Sequence, residues 1–329
     1  MLKLLRRCLP LAAGGFKTMI GGQALIEGIM MLGPDKRSIV VRKSDGVLEI
    51  RTEPRKALKS RYPILGLPLI RGVVGFGSSM YNGVKALMYS AEVAGEGEEE
   101  TQEEPSKFER WLDSKLGNEK VVSLVVALSM LLGLGMSIFL FFFLPTMLGT
   151  AVTMVTDSMM LRNLAESLLK IMIFVAYLAF CSRMGEMKRV FSYHGAEHKT
   201  IFCYENGLPL TVENVRRQPR HHPRCGTSFL FVVIIVSILA STVVFGIWPI
   251  HNPFLRFLAH LAMLPLIVGV SYEFNHFVGR HDGACTRVLT APGLWLQNFT
   301  TFEPDDSMIE VGIKAFTEVL PEVEGTDRW

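Results

Sequence analysis

At 329 residues, 49% of them hydrophobic and with positive mean hydropathy, the chain is long enough for two ordinary domains, but its apolar residues are bunched rather than spread as a soluble core spreads them. Its net charge of +3 says little by itself, and no nucleic-acid partner is expected. The five cysteines Cys8, Cys181, Cys203, Cys225 and Cys285 are odd in number and lack framework spacing, which argues for reduced thiols and against a disulfide scaffold.

In chain order, residues 1–20 carry positive charge and an apolar run broken by Pro10 and Gly14-Gly15, and read as an uncleaved, disordered leader. Residues 21–60 hold a glycine-rich turn, "GGQALIEGIMMLGP", followed by two short strands within 37–53 joined at Asp45-Gly46. From 61 to 93 the pattern is apolar but interrupted by Pro63, Pro68 and Arg71, which suits an interfacial or re-entrant helix better than a full span. Residues 94–120 contain an acidic linker, "GEGEEETQEEP", and a pre-span helix.

Residues 121–144 contain no charge and, at about 1.5 Å per residue, can cross a hydrocarbon layer of about 30 Å. Further spans are expected at about 163–181, 226–248 and 254–272. The second contains Glu166 and Lys170, spaced to pair on one helical face. His251 and His260 read as structural. Lys and Arg crowd the residues before the first span and the 182–225 loop, whereas the 145–162 connection has only Arg162 and the 249–253 connection has none. The positive-inside rule then puts both termini, the 182–225 loop and the 273–329 tail in the cytoplasm. The expected architecture is mainly α: a polytopic, multi-pass protein of the cell membrane with four transmembrane helices, a cytosolic N-terminal β-hairpin region and a cytosolic C-terminal helix after Asp305-Asp306-Ser307.

The loop carries "YHGAEHKTIFCYENG", with no proline between Arg183 and Tyr204, so the expectation is a helix continuing the second span. There His194 and His198 stand one turn apart on one side, able to grip one ion. Their order with Glu197, His-x-x-Glu-His, is that of the inverted zincins, in which the glutamate activates water. On the same side lie His222 and Cys225, at a metal-ligand spacing, and Glu273 at the exit of the fourth span, with His276 a turn beyond. The expected ligands are therefore His194, His198, His222, Cys225 and Glu273, with Glu197 as the catalytic base. His281 and Cys285 read as loop residues.

The strings "GGQALIEGIMMLGP", "YHGAEHKTIFCYE", "LTVENV", "HPRCGTSF" and "PGLWLQNFTTFEP" together resemble the YqhQ family of bacterial membrane proteins, often described as metal-dependent enzymes of unknown function. The resemblance spans about residues 20–320. It implies, besides the residues above, roles for Gly21, Gly22, Gln23, Glu27, Gly28, Glu205, Arg224, Gln297 and Glu303, and it demotes His276 and His281 as ligands. Leu32 stands where a basic residue is common in that family.

The leading expectation is a membrane metal-dependent hydrolase acting at the cytosolic face on a lipid headgroup or a membrane-adjacent peptide, with the bilayer as its other partner. The cofactor is a divalent transition metal, zinc on the strength of the cysteine, with iron or manganese as alternatives. No oligomeric state is assigned. The competing expectation is a metal-stabilised, non-catalytic scaffold or assembly factor, distinguished by a closed four-ligand site. A transporter is disfavoured because the first and third spans hold no ionisable residue.

Overall fold

The computed structural model describes residues 16–55, 63–95, 118–152, 157–281, 283–323 and 325–328. Most of the expected leader and of the acidic linker lies outside them. Four strands come first, β1 (Gly21–Leu25), β2 (Gly28–Leu32), β3 (Lys36–Arg42) and β4 (Leu48–Pro54). The helices follow: α1 (Ile70–Gly95), α2 (Asn118–Ile138), α3 (Leu144–Ala151), α4 (Met159–Cys181) and α5 (Gly185–Glu205), then α6 (Val212–Arg216), α7 (Gly226–Ile247), α8 (Pro253–Arg280), α9 (Ala284–Thr300) and α10 (Asp306–Thr317). Four stretches, Leu128–Ala151, Met159–Cys181, Gly226–Ile247 and Pro253–Val278, are long and apolar enough to cross a membrane. They overlap the four expected spans, the first lying at 128–151 rather than 121–144 and the fourth running on to Val278.

Two compact units are present. One contains Met1–Gly97, Val175–Ser237 and Leu264–Trp329, and the other Glu98–Phe174 and Ile238–Met263.

In the first unit the strands form an antiparallel meander in the order β1-β2-β3-β4. The glycine-rich stretch expected as a turn is itself a hairpin: Leu25 pairs with Gly28 around Ile26-Glu27, and Glu27 takes a positive φ of 49°. Gly28 is required because a Cβ there would lie 2.5 Å from the Val40 carbonyl oxygen. The second hairpin closes at Arg42 and Leu48, with Gly46 at φ 85°. Period-two alternation then loads both faces of the sheet. Ile29, Met31 and Val40 enter a core with Tyr193 and Ala196 of α5 and Ile309 and Phe316 of α10. Leu25, Met30, Ile39 and Val41 enter a second core with Ala86 and Val93 of α1. Both faces are covered, which is why β2 and β3 read as continuous apolar runs.

The C-terminal helix α10 is capped by Asp305, whose side chain accepts the Met308 amide at 2.9 Å, as its start signal anticipates. Rather than merely closing the chain, it is central to the first core, and it comes so near α5 that a Cβ on Gly312 would lie 2.8 Å from Thr200 Oγ1. The expected continuous helix through the second span is corrected: α4 ends at Cys181, Met184 is extended, and α5 starts afresh at Gly185. The residues between them close tight turns, Arg183 donating to Phe180 O and Met184 to Cys181 O, so the two helices keep independent axes.

In the second unit α2 passes through a π turn, Phe139–Phe143, into α3. Glu166 of α4 is buried at its centre. Its Oε1 accepts from Thr146 Oγ1 of α3 at 3.0 Å and from His260 Nε2 of α8 at 2.6 Å, and the expected partner Lys170 lies at 3.2 Å. Its Oε2 accepts from Arg256 Nε of α8 at 2.8 Å. Arg256 in turn donates to Asn163 Oδ1 and sits over the Phe245 ring. Arg162 donates to Thr150 Oγ1 and to the His251 carbonyl. Charges within spans persist only when satisfied inside the protein, and here one carboxylate serves residues on α4 and α8.

Candidate metal centre

Helix α5 is polar in composition yet buried almost all round from Ser192 to Glu205. Burying so many polar groups is costly unless each is bonded, so their partners define the site. Gly195 admits the neighbouring chain: a Cβ there would collide with the Phe302 carbonyl, and Phe302 N donates to Phe191 O at 2.9 Å. That stretch brings the Thr300 carbonyl onto His194 Nδ1 at 2.7 Å. The Arg220 carbonyl meets His198 Nδ1 at 2.6 Å. A carbonyl only accepts, so in each ring Nδ1 is the donor to it. Backbone carbonyls hold metal-binding histidines in this way.

The two rings gather at Cys225, which immediately precedes α7. His194 Nε2 is 3.2 Å from Cys225 Sγ, and donor atoms of His194, His198 and Cys225 all lie within 4.8 Å of one another. Ligand atoms around a tetrahedral zinc are separated by roughly 3.3–3.8 Å, so the three donors need little movement to share an ion. Burial holds His198 neutral, its pKa lowered to about 4. Burial opposes the Cys225 thiolate, but the His198 ring and the hydroxyl and amide of Thr227 outweigh it and keep that thiol below its ordinary value. Each of these states is the one a metal ligand requires.

Beside the cluster, Glu197 is fully buried, and desolvation raises its pKa to about 7. Its Oε1 accepts the Gly22 amide at 3.0 Å, while Oε2 is buried without a partner among the described residues. Gly22 permits the approach, since a Cβ there would lie 3.0 Å from Glu197 Cδ.

Other expected site residues have different partners. Glu273 is not brought into the cluster: Arg71 of α1 donates to both its oxygens, and the Leu69 amide adds a third bond. His222 stands beside it, its ring centroid 5.6 Å from that of His198, but its Nε2 faces Glu205 Oε2 at 3.6 Å and its backbone is gripped at both N and O by Gln297 at 2.8 Å. Glu205 also accepts from the Thr18 amide and from Arg224. Glu303 pairs with the buried Lys199 at 2.6 Å, a lysine that also donates to the Arg216 carbonyl. Glu27 is held by Arg189 at 2.5 and 2.6 Å and by the Tyr193 hydroxyl at 3.1 Å, and the Arg189 guanidinium keeps its carboxyl below the usual range. Gln23 packs against Gly83 of α1. Of the expected ligands, the structure thus brings together His194, His198 and Cys225. The carbonyls of Thr300 and Arg220 and the side chain of Thr227 were not foreseen: backbone acceptors leave no mark in a sequence, although "CGT" at a helix start is a signal for Thr227.

Fold and site together define a mainly helical protein with, among the described residues, four helices able to cross a membrane and a His-His-Cys cluster whose two histidines lie on the polar helix α5 and whose cysteine immediately precedes α7. The chain belongs to the YqhQ-like family of unknown function: residues 67–322 match the family described as "Protein of unknown function (DUF1385)". It is 35% identical over 303 residues to the uncharacterized protein YqhQ of Bacillus subtilis (strain 168), covering 91% of this chain and 92% of that one. No solved structure matches it.

Proposed function

We propose that this protein is an integral membrane metal-dependent hydrolase whose centre lies at the cytosolic membrane face and acts on a lipid headgroup or a membrane-adjacent peptide. His194, His198 and Cys225 hold a divalent ion, zinc being favoured by the thiolate. When bound, such an ion supplies Lewis acidity and lowers the pKa of water toward about 7. Glu197 accepts the proton from the attacking water and returns it to the leaving group. The observation that carries the reading is the Oε2 of Glu197, buried without a partner among the described residues, on the helix that supplies two of the three clustered donors. A set of three protein donors, rather than four, is the kind that catalytic zinc sites use, and these three would hold such an ion. The cytosolic placement rests on the Lys and Arg asymmetry of the loops.

The test is elemental analysis of the purified full chain. About one transition metal per chain is expected, falling severalfold in His194→Ala, His198→Ala and Cys225→Ser. Folded, functional protein without metal would overturn the reading. Metal bound in a closed four-ligand site by spectroscopy would favour a scaffold instead.

A further inference from the structure

Helix α1 lies outside the four candidate spans, yet it exposes large apolar side chains along one side. At about 100° per residue, Val73, Met80, Val84 and Met88 fall within an arc of roughly 80°. Met80 is 55% and Met88 47% exposed, and Tyr81, 70% exposed, extends the strip. Ile64 and Leu67, in the short turn before the helix, are exposed as well. Lys85 is exposed beyond the edge of the strip. The opposite side is covered: Gly72, Gly83, Ala86, Ser90 and Val93 are buried, and Ser90 Oγ accepts the Ile26 amide of the sheet.

Contacts at the start of α1 say what covers the exposed side. Leu69 takes a left-handed φ of 67°, a strained conformation for leucine, and is fixed there by its amide bond to Glu273 and by Gly269, whose absent Cβ would lie 2.9 Å from the Leu69 carbonyl. A Cβ on Gly72 would meet Tyr272 at 2.7 Å, and Arg71 clasps Glu273. One turn on, Phe76 packs on Phe229 at 5.7 Å between centroids. Residues 269–273 belong to the last turns of the fourth candidate span, and Phe229 to the first turn of the third. If these two spans are consecutive crossings, the end of one and the start of the other share a membrane face. A helix tied to both lies along that face.

We propose that α1 is an interfacial helix whose exposed strip, Val73, Met80, Tyr81, Val84 and Met88, rests in the headgroup and upper acyl region of the lipid bilayer. A strip of this width suits burial by about 5–10 Å, and the protein-covered side does not need water. The close approaches of Gly72 to Tyr272 and of Gly83 to Gln23, with the tie at Glu273, hold the helix against the protein. This assignment is independent of the metal reading, because it rests on exposure and on contacts with the spans.

The test uses the full chain reconstituted into phosphatidylcholine and phosphatidylglycerol vesicles, with a fluorescent amino acid in place of Val84 or, in a second preparation, Met88. Nitroxide-labelled lipids carry the quencher near either the headgroup end or the methyl end of the acyl chain. The headgroup-end label is expected to quench at least about twofold more strongly at both positions. Stronger quenching by the methyl-end label would make α1 a re-entrant segment and overturn the proposal. Quenching by neither would show that the strip is not in lipid, and energy transfer between labelled chains would then identify a second copy as its cover. Metal content is read on the same samples, so failure here is distinct from failure of the metal centre.

Discussion

The amide of Gly22 donates to Glu197 Oε1 at 3.0 Å, joining β1 to α5 across 175 positions of sequence. The bond fixes the carboxylate and leaves Oε2 as its unengaged oxygen. Glu197→Gln keeps an oxygen for the Gly22 amide but removes proton acceptance. Metal content and melting temperature should stay as in the native chain, while rescue of the phenotype caused by loss of the gene should fall about a hundredfold or more. Full rescue with metal bound would remove Glu197 from catalysis.

Gly22→Ala probes the same relationship from the other side. The added Cβ would lie 2.7 Å from Met30 O, 2.8 Å from Met31 Sδ and 3.0 Å from Glu197 Cδ. Overpacking of this kind costs about 1–3 kcal/mol. A lower melting temperature is expected together with loss of rescue, whereas Gly21→Ala, where a Cβ meets nothing within 4 Å, should be close to neutral. Equal effects of the two would mean that the close approach at Gly22 is unimportant.

Glu273→Gln separates the metal cluster from the Arg71 clasp. The ion pair is partly exposed, with side-chain exposures of 36% and 26%, so its loss should cost no more than about 1 kcal/mol. Metal stoichiometry should be unchanged by elemental analysis. Loss of metal in Glu273→Gln, with Cys225→Ser retaining it, would reverse the ligand assignment.

In the second unit, Glu166→Gln leaves Arg256 and Lys170 buried without their carboxylate. Breaking a buried pair by removing one partner costs about 3–5 kcal/mol. Thermal unfolding in lipid nanodiscs should show a marked drop for Glu166→Gln and for Arg256→Gln, with the double variant less destabilised than the sum of the two. Additive losses would mean that the residues do not act together.

Much of this was legible in the sequence because it depends on local periodicity. The four apolar stretches, the hairpin at Asp45-Gly46, the Asp305 cap and the spacing of His194 and His198 each belong to one continuous segment of chain. Cys225 is legible from its metal-ligand spacing to His222 at the head of an apolar run. Glu273 was misplaced because topology fixes only its depth: its neighbour Arg71 comes from a glycine-rich segment some 200 residues away, at a separation of 202 positions. Helix α9 has no counterpart among the expected elements, which treat 273–329 as a tail with one closing helix. Pro292 sits inside the helix, and Gly293 lets it approach Ser228, where a Cβ would be 2.6 Å from the hydroxyl oxygen. Arg162 was counted as a loop charge, and neither Arg256 nor His260 was connected to Glu166, because no local spacing joins α4 to α8.

One carboxylate serving three helices also sets how the second unit can come apart. Thr146, Lys170, Arg256 and His260 all meet Glu166, so withdrawing the first turns of α8 strands charge on α4, and withdrawing α4 strands it on α8. Neither helix end can fray independently in a medium without water to replace the lost bonds. The amides of the first turns of α4 and α8 should therefore exchange with solvent deuterium at a common rate, as a single cooperative opening, and Glu166→Gln should let the two rates diverge.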